Sequence, residues 1–221
     1  MEILCLLICA VLAYLIGAIP WAIIISRLFF HIDVRDYGSR NAGGTNAGRV
    51  MGKRIGLLVI VLDTCKILII FLLNRLIIFN FFGFTSADMI YTYCQLLSTV
   101  CATLGHCYPI YCSFKGGKAV SCSTGFVAFT NWIIFPICFL TFIGILKKTK
   151  YVSLSSMTSS FISVILAFIA PLAKLGLWFD IQYDIVYPLT ATMLFIILFF
   201  RHSENIKRLK NGVENKITWL K

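Results

Sequence analysis

Long apolar runs decide what this chain can become. Residues 3–30 are almost uniformly apolar, and similar runs recur at 55–80, 89–112, 152–171 and 183–200. A helix that crosses a bilayer needs about 20 such residues. Charged residues make up only 13% of the 221 positions, about half the share found in soluble domains. The chain therefore reads as an all-α polytopic membrane protein with a single domain over residues 1–221. The first run carries Glu2 instead of a basic start and is too long for a leader's apolar core, so it reads as a retained helix.

The stretch 117–146 is ambiguous. As one helix it would be about 45 Å long, longer than the hydrocarbon core. Asn131 and Pro136 suggest two short helices, about 118–130 and 132–147. Splitting it gives seven transmembrane helices, some of them short, and leaving it whole gives six. Charge arbitrates between these. With seven helices and the N-terminus outside, nearly all Lys and Arg outside the helices fall on the inner side, up to Lys221 in the tail, while Arg75 and Lys174 fall outside. That is the positive-inside pattern. An even count would put Lys115 and Lys118 opposite Lys147, Lys148 and Lys150. The C-terminus is then cytoplasmic. The net charge of +11 reads first as loop charge, with anionic substrates or headgroups adding to it, and not as a nucleic-acid footprint.

The nine cysteines form no CxxC pair, no zinc spacing and no disulfide framework. Most sit in apolar runs, where a thiol packs as a small hydrophobe. No ligand cluster in the sequence suggests a metal, and no cofactor or obligate protein partner is implied.

Three polar clusters fall on the predicted inner side. The first is GSRNAGGTNAGR, residues 38–49. Its glycines and asparagines oppose a helix interior. It reads either as a loop that brings backbone N–H groups and Arg49 to an anion or as an ordinary solvated turn. The second is SFKGGKAV, residues 113–120. A nucleotide loop of the G-x-x-x-x-G-K-[ST] type would need Gly where Cys112 stands and Ser or Thr where Ala119 stands. What remains is a pair of glycines between Lys115 and Lys118 at a predicted helix start, which suits an anion or a basic interfacial turn. His106 lies just upstream and reads as structural before catalytic. The third is RHSENIKRLKNGVEN, residues 201–215. His202 and Asn205 share a face if the helix continues. The alternative is a basic amphipathic anchor on the headgroups. Asp63 and Lys66, three apart inside an apolar run, read as a mutually neutralised pair or as an orienting element for the site.

Together these clusters resemble the bacterial membrane glycerol-3-phosphate acyltransferases that use acyl phosphate, the PlsY family. The likeness runs through YLIGAIPWA, GSRNAGGTNAGR, LLVIVLDTCK, GHCYPIYCSFKGGKAV, YVSLSS and RHSENIKRL, in that order, over nearly the whole chain. It implies a seven-helix inner-membrane fold with its site toward the cytoplasm. It implies transfer of an acyl group from acyl phosphate to glycerol 3-phosphate, giving 1-acylglycerol 3-phosphate and phosphate, the first step of phospholipid synthesis. By the same match Ser39 and Arg49 would be catalytic or phosphate-holding, with Asn41, Thr45 and Asn46 shaping the site around the phosphate. The loop of Lys115, Gly116, Gly117 and Lys118 would bind the phosphate of glycerol 3-phosphate. His202 and Asn205 would complete the catalytic region, and Asp63, Lys66 and Glu214 would support it. The HxxxxD signature of thioester-dependent acyltransferases matches only at His31–Asp36, a chance-level pattern at the start of a loop.

The chain departs from the family pattern at four places. Arg40 and Gly44 stand where Gly and Ala are usual, Ala119 replaces a Gly, and Ser203 replaces an Arg. A transporter of a phosphorylated metabolite is the alternative function. It predicts inverted repeats and more charge within the membrane, and the sequence shows no repeat.

Overall fold

The computed structural model describes residues 1–217, so Lys221 lies outside the described residues. The chain is helical throughout, with one isolated bridge between Asn131 and Leu177. The first apolar run divides into α1 (Glu2–Gly17) and α2 (Trp21–Phe30). Pro20 has no N–H to continue the ladder, and the carbonyls of Gly17 and Ile19 accept instead from Lys66 Nζ. Lys66 comes from α4 (Lys53–Phe81), an unbroken helix of 29 residues. Asn74 and Arg75 do not interrupt it. Asn74 is buried and donates to Gln95 Oε1 and Ser98 Oγ, and Arg75 pairs with Asp180 at 3.0 Å.

The glycine-rich cluster overturns its expectation. Residues 44–51 form a helix, α3 (Gly44–Met51), despite their low propensity. The reason is contact. A Cβ on Gly56 of α4 would fall 2.5 Å from Gly48 Cα and 2.8 Å from the Gly44 carbonyl oxygen. Gly44, Gly48 and Gly56 thus let two helix backbones touch, the small-residue packing used where lipid removes the hydrophobic drive.

The third run ends as α5 (Met89–Cys107), followed by a single tight turn at Ile110–Cys112. It packs on α1 at backbone contact, since a Cβ on Gly105 would fall 2.2 Å from the Tyr14 carbonyl oxygen. The ambiguous stretch splits into α6 (Val120–Thr130) and α7 (Ile134–Thr149). Asn131 makes the corner: its Oδ1 accepts from the N–H groups of Ile133 and Ile134, and its Nδ2 donates to Ala173 O at 2.7 Å. Pro136 sits in the first turn of α7, where a missing N–H costs nothing. Then follow α8 (Val152–Phe168), α9 (Ala170–Leu175), α10 (Val186–Arg201) and α11 (Ser203–Lys210), the last two bent by 58°. A core of Leu96, Phe126, Ile134, Tyr187 and Leu194 joins α5, α6, α7 and α10.

Residues Glu2–Phe30 and Lys53–Phe81 are each long and apolar enough to cross a membrane, and α10 with α11 would be a third if taken as one bent span. The apolar helices Val120–Thr130 and Val152–Phe168 are shorter.

Candidate active site

A cleft of about 420 Å³ opens between α3, α6, α7, α8 and the α10–α11 bend. One end is polar, with Ser39, Asn41, Thr45, Arg49, Lys118, His202, Asn205 and Arg208. Phe135, Phe139, Phe142 and Ile143 of α7 wall the rest, together with Ser159, Ser160 and Ser163 of α8, while Ile60 of α4 lies against Gly44 beside the polar end. An anionic head and an apolar tail would therefore bind in different parts of one cavity.

The loop before α3 is organised by Asn46. Its Oδ1 accepts from both the N–H and the Oγ of Ser39, at 2.7 and 3.1 Å. Its Nδ2 donates to the carbonyls of Val34, Tyr37 and Asn41. Every polar atom of Asn46 is committed to the loop, which corrects its expected place around the phosphate: it builds the loop and has no donor left for an anion. Ser39 is held with its hydroxyl at the cleft edge. Arg49, on the last turn of α3, donates to Asn215 O at 3.3 Å and keeps its other donors toward the cleft. Burial holds its pKa below the usual guanidinium value. Asn41 and Thr45 line the same end.

The glycine pair is used differently from the expectation. The Gly116 N–H donates to Cys107 O at 3.2 Å and the Gly117 N–H to His106 O at 2.9 Å. Their carbonyls accept from Arg201, Gly117 O from Nε at 3.0 Å and Gly116 O from Nη2 at 3.2 Å. The loop is folded back on the end of α5 and its amides are consumed there, so Gly116 and Gly117 do not supply phosphate donors. Lys115 is exposed and does not line the cleft. Of residues 115–118 Lys118 alone reaches it. Close approach explains the glycines: a Cβ on Gly117 would fall 2.0 Å from His106 Nε2. Ala119 caps α6 at φ +67°, and Arg40 holds φ +56°. Both are left-handed positions that favour glycine.

The C-terminal segment completes the polar end. His202 sits at the α10–α11 bend with Nδ1 2.8 Å from Leu198 O. A carbonyl only accepts, so the neutral ring carries its proton on Nδ1. Nε2 is left as an acceptor 3.5 Å from Ser156 Oγ, a hydroxyl that donates to Val152 O. Burial, helped by the positive charge of Lys118, lowers the His202 pKa to about 4. Asn205 accepts from Lys118 Nζ and donates to Glu214 Oε1 at 2.7 Å. Glu214 also accepts from Ser153 Oγ and from Arg208 Nε. Burial works against its carboxylate, yet the hydrogen bonds from Asn205, Arg208 and Ser153 and the Arg208 charge hold its pKa below the ordinary value. Lys118, with burial as the main cause and Arg208 next, is lowered to about 8. Arg49, Lys118 and Arg208 thus surround one buried carboxylate, which leaves the polar end with an excess of positive charge.

Asp63 and Lys66 form a buried ion pair at 2.7 Å, and His106 Nδ1 approaches the same Asp63 oxygen at 3.7 Å. They lie beneath the cleft, which His106 lines. The pair both neutralises itself and anchors the helix break above it.

Sequence reasoning passed over Arg201 and Arg208, treating them as tail charge. Arg201 fixes the glycine loop and Arg208 fixes Glu214. It also passed over Ser153 and Ser156 on α8. The available signal was their three-residue spacing, which puts both on one helix face.

The chain matches the glycerol-3-phosphate acyltransferase family model over residues 7–212. The glycerol-3-phosphate acyltransferase of Staphylococcus haemolyticus is 40% identical over 214 residues, covering 95% of this chain and 96% of that one. Glycerol-3-phosphate acyltransferase 2 of Lactobacillus johnsonii is 39% identical over 93% of this chain and 84% of its own length. The crystal structure of PlsY (YgiH), an integral membrane glycerol 3-phosphate acyltransferase, in its glycerol 3-phosphate form, superposes with a TM-score of 0.77 at 32% identity, with 96% of each chain covered. The lysophosphatidic acid form of that protein gives 0.75. This chain, matched along almost its whole length, belongs to the glycerol-3-phosphate acyltransferase family.

Proposed function

We propose that this chain moves a fatty acyl group from acyl phosphate to the 1-hydroxyl of glycerol 3-phosphate, releasing phosphate and 1-acylglycerol 3-phosphate. The observation that carries this is the two-ended cleft: three cations and a neutral histidine at one end, aromatic and aliphatic walls at the other. Both substrates are anions, and an acyl phosphate brings its own leaving group, so no covalent enzyme intermediate is required. The task is to hold two phosphates together and to aim the hydroxyl.

Arg49, Lys118 and Arg208 screen the phosphates and Thr45 orients them, while Ser39 Oγ, whose proton goes to Asn46 Oδ1, offers an acceptor to the glycerol hydroxyls. As the glycerol oxygen attacks the acyl carbonyl, His202 Nε2 takes its proton. The carbon–oxygen bond to the leaving phosphate then breaks, and the phosphate departs with the electron pair. In the empty cleft His202 is a weak base, but each phosphate brought beside it raises its pKa. Asn205 and Glu214 set the position of Lys118. The acyl tail lies along α7.

The chain acts as a single domain in the bacterial inner membrane, in seven spans with the N-terminus outside and the cleft toward the cytoplasm. The short α6 and α7 and the positive-inside charge pattern support that arrangement. Transport of a phosphorylated metabolite finds no support in the relatives.

The test is phosphate release by the purified protein given acyl phosphate and glycerol 3-phosphate, beside Arg49→Ala and His202→Ala. Release far above background from the unmodified chain, and little from either variant, is expected. No release would sink the reaction, and undiminished release from both variants would sink the assignment of the site. Replacing acyl phosphate by acyl-CoA should abolish turnover.

A further inference from the structure

Cys5 and Cys9 lie one turn apart on α1, and Cys94 faces them from α5. All three are fully buried, their sulfurs all lie within 4.8 Å of one another, and Cys5 Sγ stands 3.7 Å from Cys94 Sγ. None of them lines the cleft. We propose that this trio is a thiolate site for a soft monovalent metal ion such as Cu(I), bridging the outer ends of α1 and α5.

The spacing fits. Metal–sulfur bonds of about 2.3 Å in a trigonal plane put the sulfurs about 4.0 Å apart, so the trio closes on an ion with small side-chain shifts. The shell is apolar, formed by Ile78, Ile90 and Tyr91. No fourth His, Asp or Glu joins the cluster among the described residues. A structural zinc site takes four ligands, whereas soft sulfur donors select Cu(I).

A pocket of about 170 Å³ at the same end is lined by Glu2, Asp88, Met89 and Ile90, and Ile90 also belongs to the shell of the trio. Binding replaces thiol protons, which leave to solvent, so affinity rises with pH.

The test is anaerobic titration of the purified, reduced full chain with Cu(I) held by a chromophoric competing chelator. The protein should withdraw a single ion and unfold at higher temperature with it bound. Cys5→Ala and Cys94→Ala should each weaken binding by at least roughly tenfold, the size of effect that even supporting groups have at metal sites. Cys65→Ala, at a cysteine outside both the trio and the cleft, should bind as the unmodified chain does. Acyl transfer by each variant checks that it is folded. X-ray absorption of the loaded, unmodified chain needs no variant and should show sulfur neighbours around the ion. A chain that withdraws no copper, a Cys5→Ala/Cys94→Ala double variant that binds as well as the parent, or a shell of nitrogen and oxygen alone would each overturn the site.

Discussion

His202 Nδ1 lies 2.8 Å from the Leu198 carbonyl oxygen, and this contact decides which nitrogen of the ring is free to accept a proton. With the proton held on Nδ1, Nε2 is the acceptor, and in the proposed mechanism it is the base. In that mechanism Lys118 beside it must be charged to hold phosphate. The free protein therefore works between the two pKa values. Log kcat/KM should fall as pH drops below about 4, where His202 takes a second proton. It should fall again as pH rises past about 8, where Lys118 loses its charge. The acid limb of kcat should lie higher than that of kcat/KM, because bound phosphates raise the His202 pKa. Lys118→Arg should move the alkaline limb upward. Steady-state kinetics across pH measure all of these, and an alkaline limb unmoved by Lys118→Arg would remove Lys118 from the phosphate site.

Gly56→Ala tests the contact between α3 and α4. Its new methyl would press on the Gly48 backbone at 2.5 Å, where no side chain can rotate away. The helices must separate, at a cost of about 1–3 kcal/mol for overpacking. Because α3 carries Arg49, activity should fall together with thermal stability. Gly144→Ala on α7 meets nothing within 4 Å and should leave both unchanged.

That contact also marks where the sequence was legible and where it was not. The apolar runs and the division at Asn131 could be read directly, because each follows from local chemistry, whereas residues 3–30 read as one helix and the structure breaks it at Pro20. The helix Gly44–Met51 could not be read, because propensity scores glycine alone while the helix depends on a partner glycine on α4. His202, Asn205, Arg49 and Lys118, which come from three separate motifs, line one cleft. The amides of Gly116 and Gly117 escaped prediction because their acceptors, Cys107 and His106, come within reach only when the chain turns back at Pro109. Arg201 and Arg208 escaped for the same reason: their partners are set by the fold, and their charge alone says only that they lie on the inner side.

Two residues hold left-handed backbone where the family resemblance has glycine. Arg40 is exposed at φ +56°, so Arg40→Gly should relieve strain with nothing else lost and stabilise by about 1 kcal/mol. Ala119, at φ +67°, is fully buried against Cys107 and Leu198. Ala119→Gly gains the same relief but gives up a packed methyl, worth about 0.8 kcal/mol, so its net effect should be near zero. Thermal unfolding of the two variants should therefore show a rise for Arg40→Gly alone.

Lys66 serves two masters: its Nζ sits 2.7 Å from Asp63 Oδ1 and donates to the Gly17 and Ile19 carbonyls at the helix break. Lys66→Met removes all three contacts and leaves a buried carboxylate without its cation, a change that costs about 3–5 kcal/mol. Adding Asp63→Leu removes the stranded charge but not the stranded carbonyls, each of which still costs about 1–3 kcal/mol when unsatisfied. The double variant should thus recover part of the lost stability and stop short of the parent. Full recovery would mean that the carbonyls at the break need no partner. No recovery would mean that Asp63 is neutral in the folded protein, so that His106, 3.7 Å from the same carboxylate, faces no negative charge.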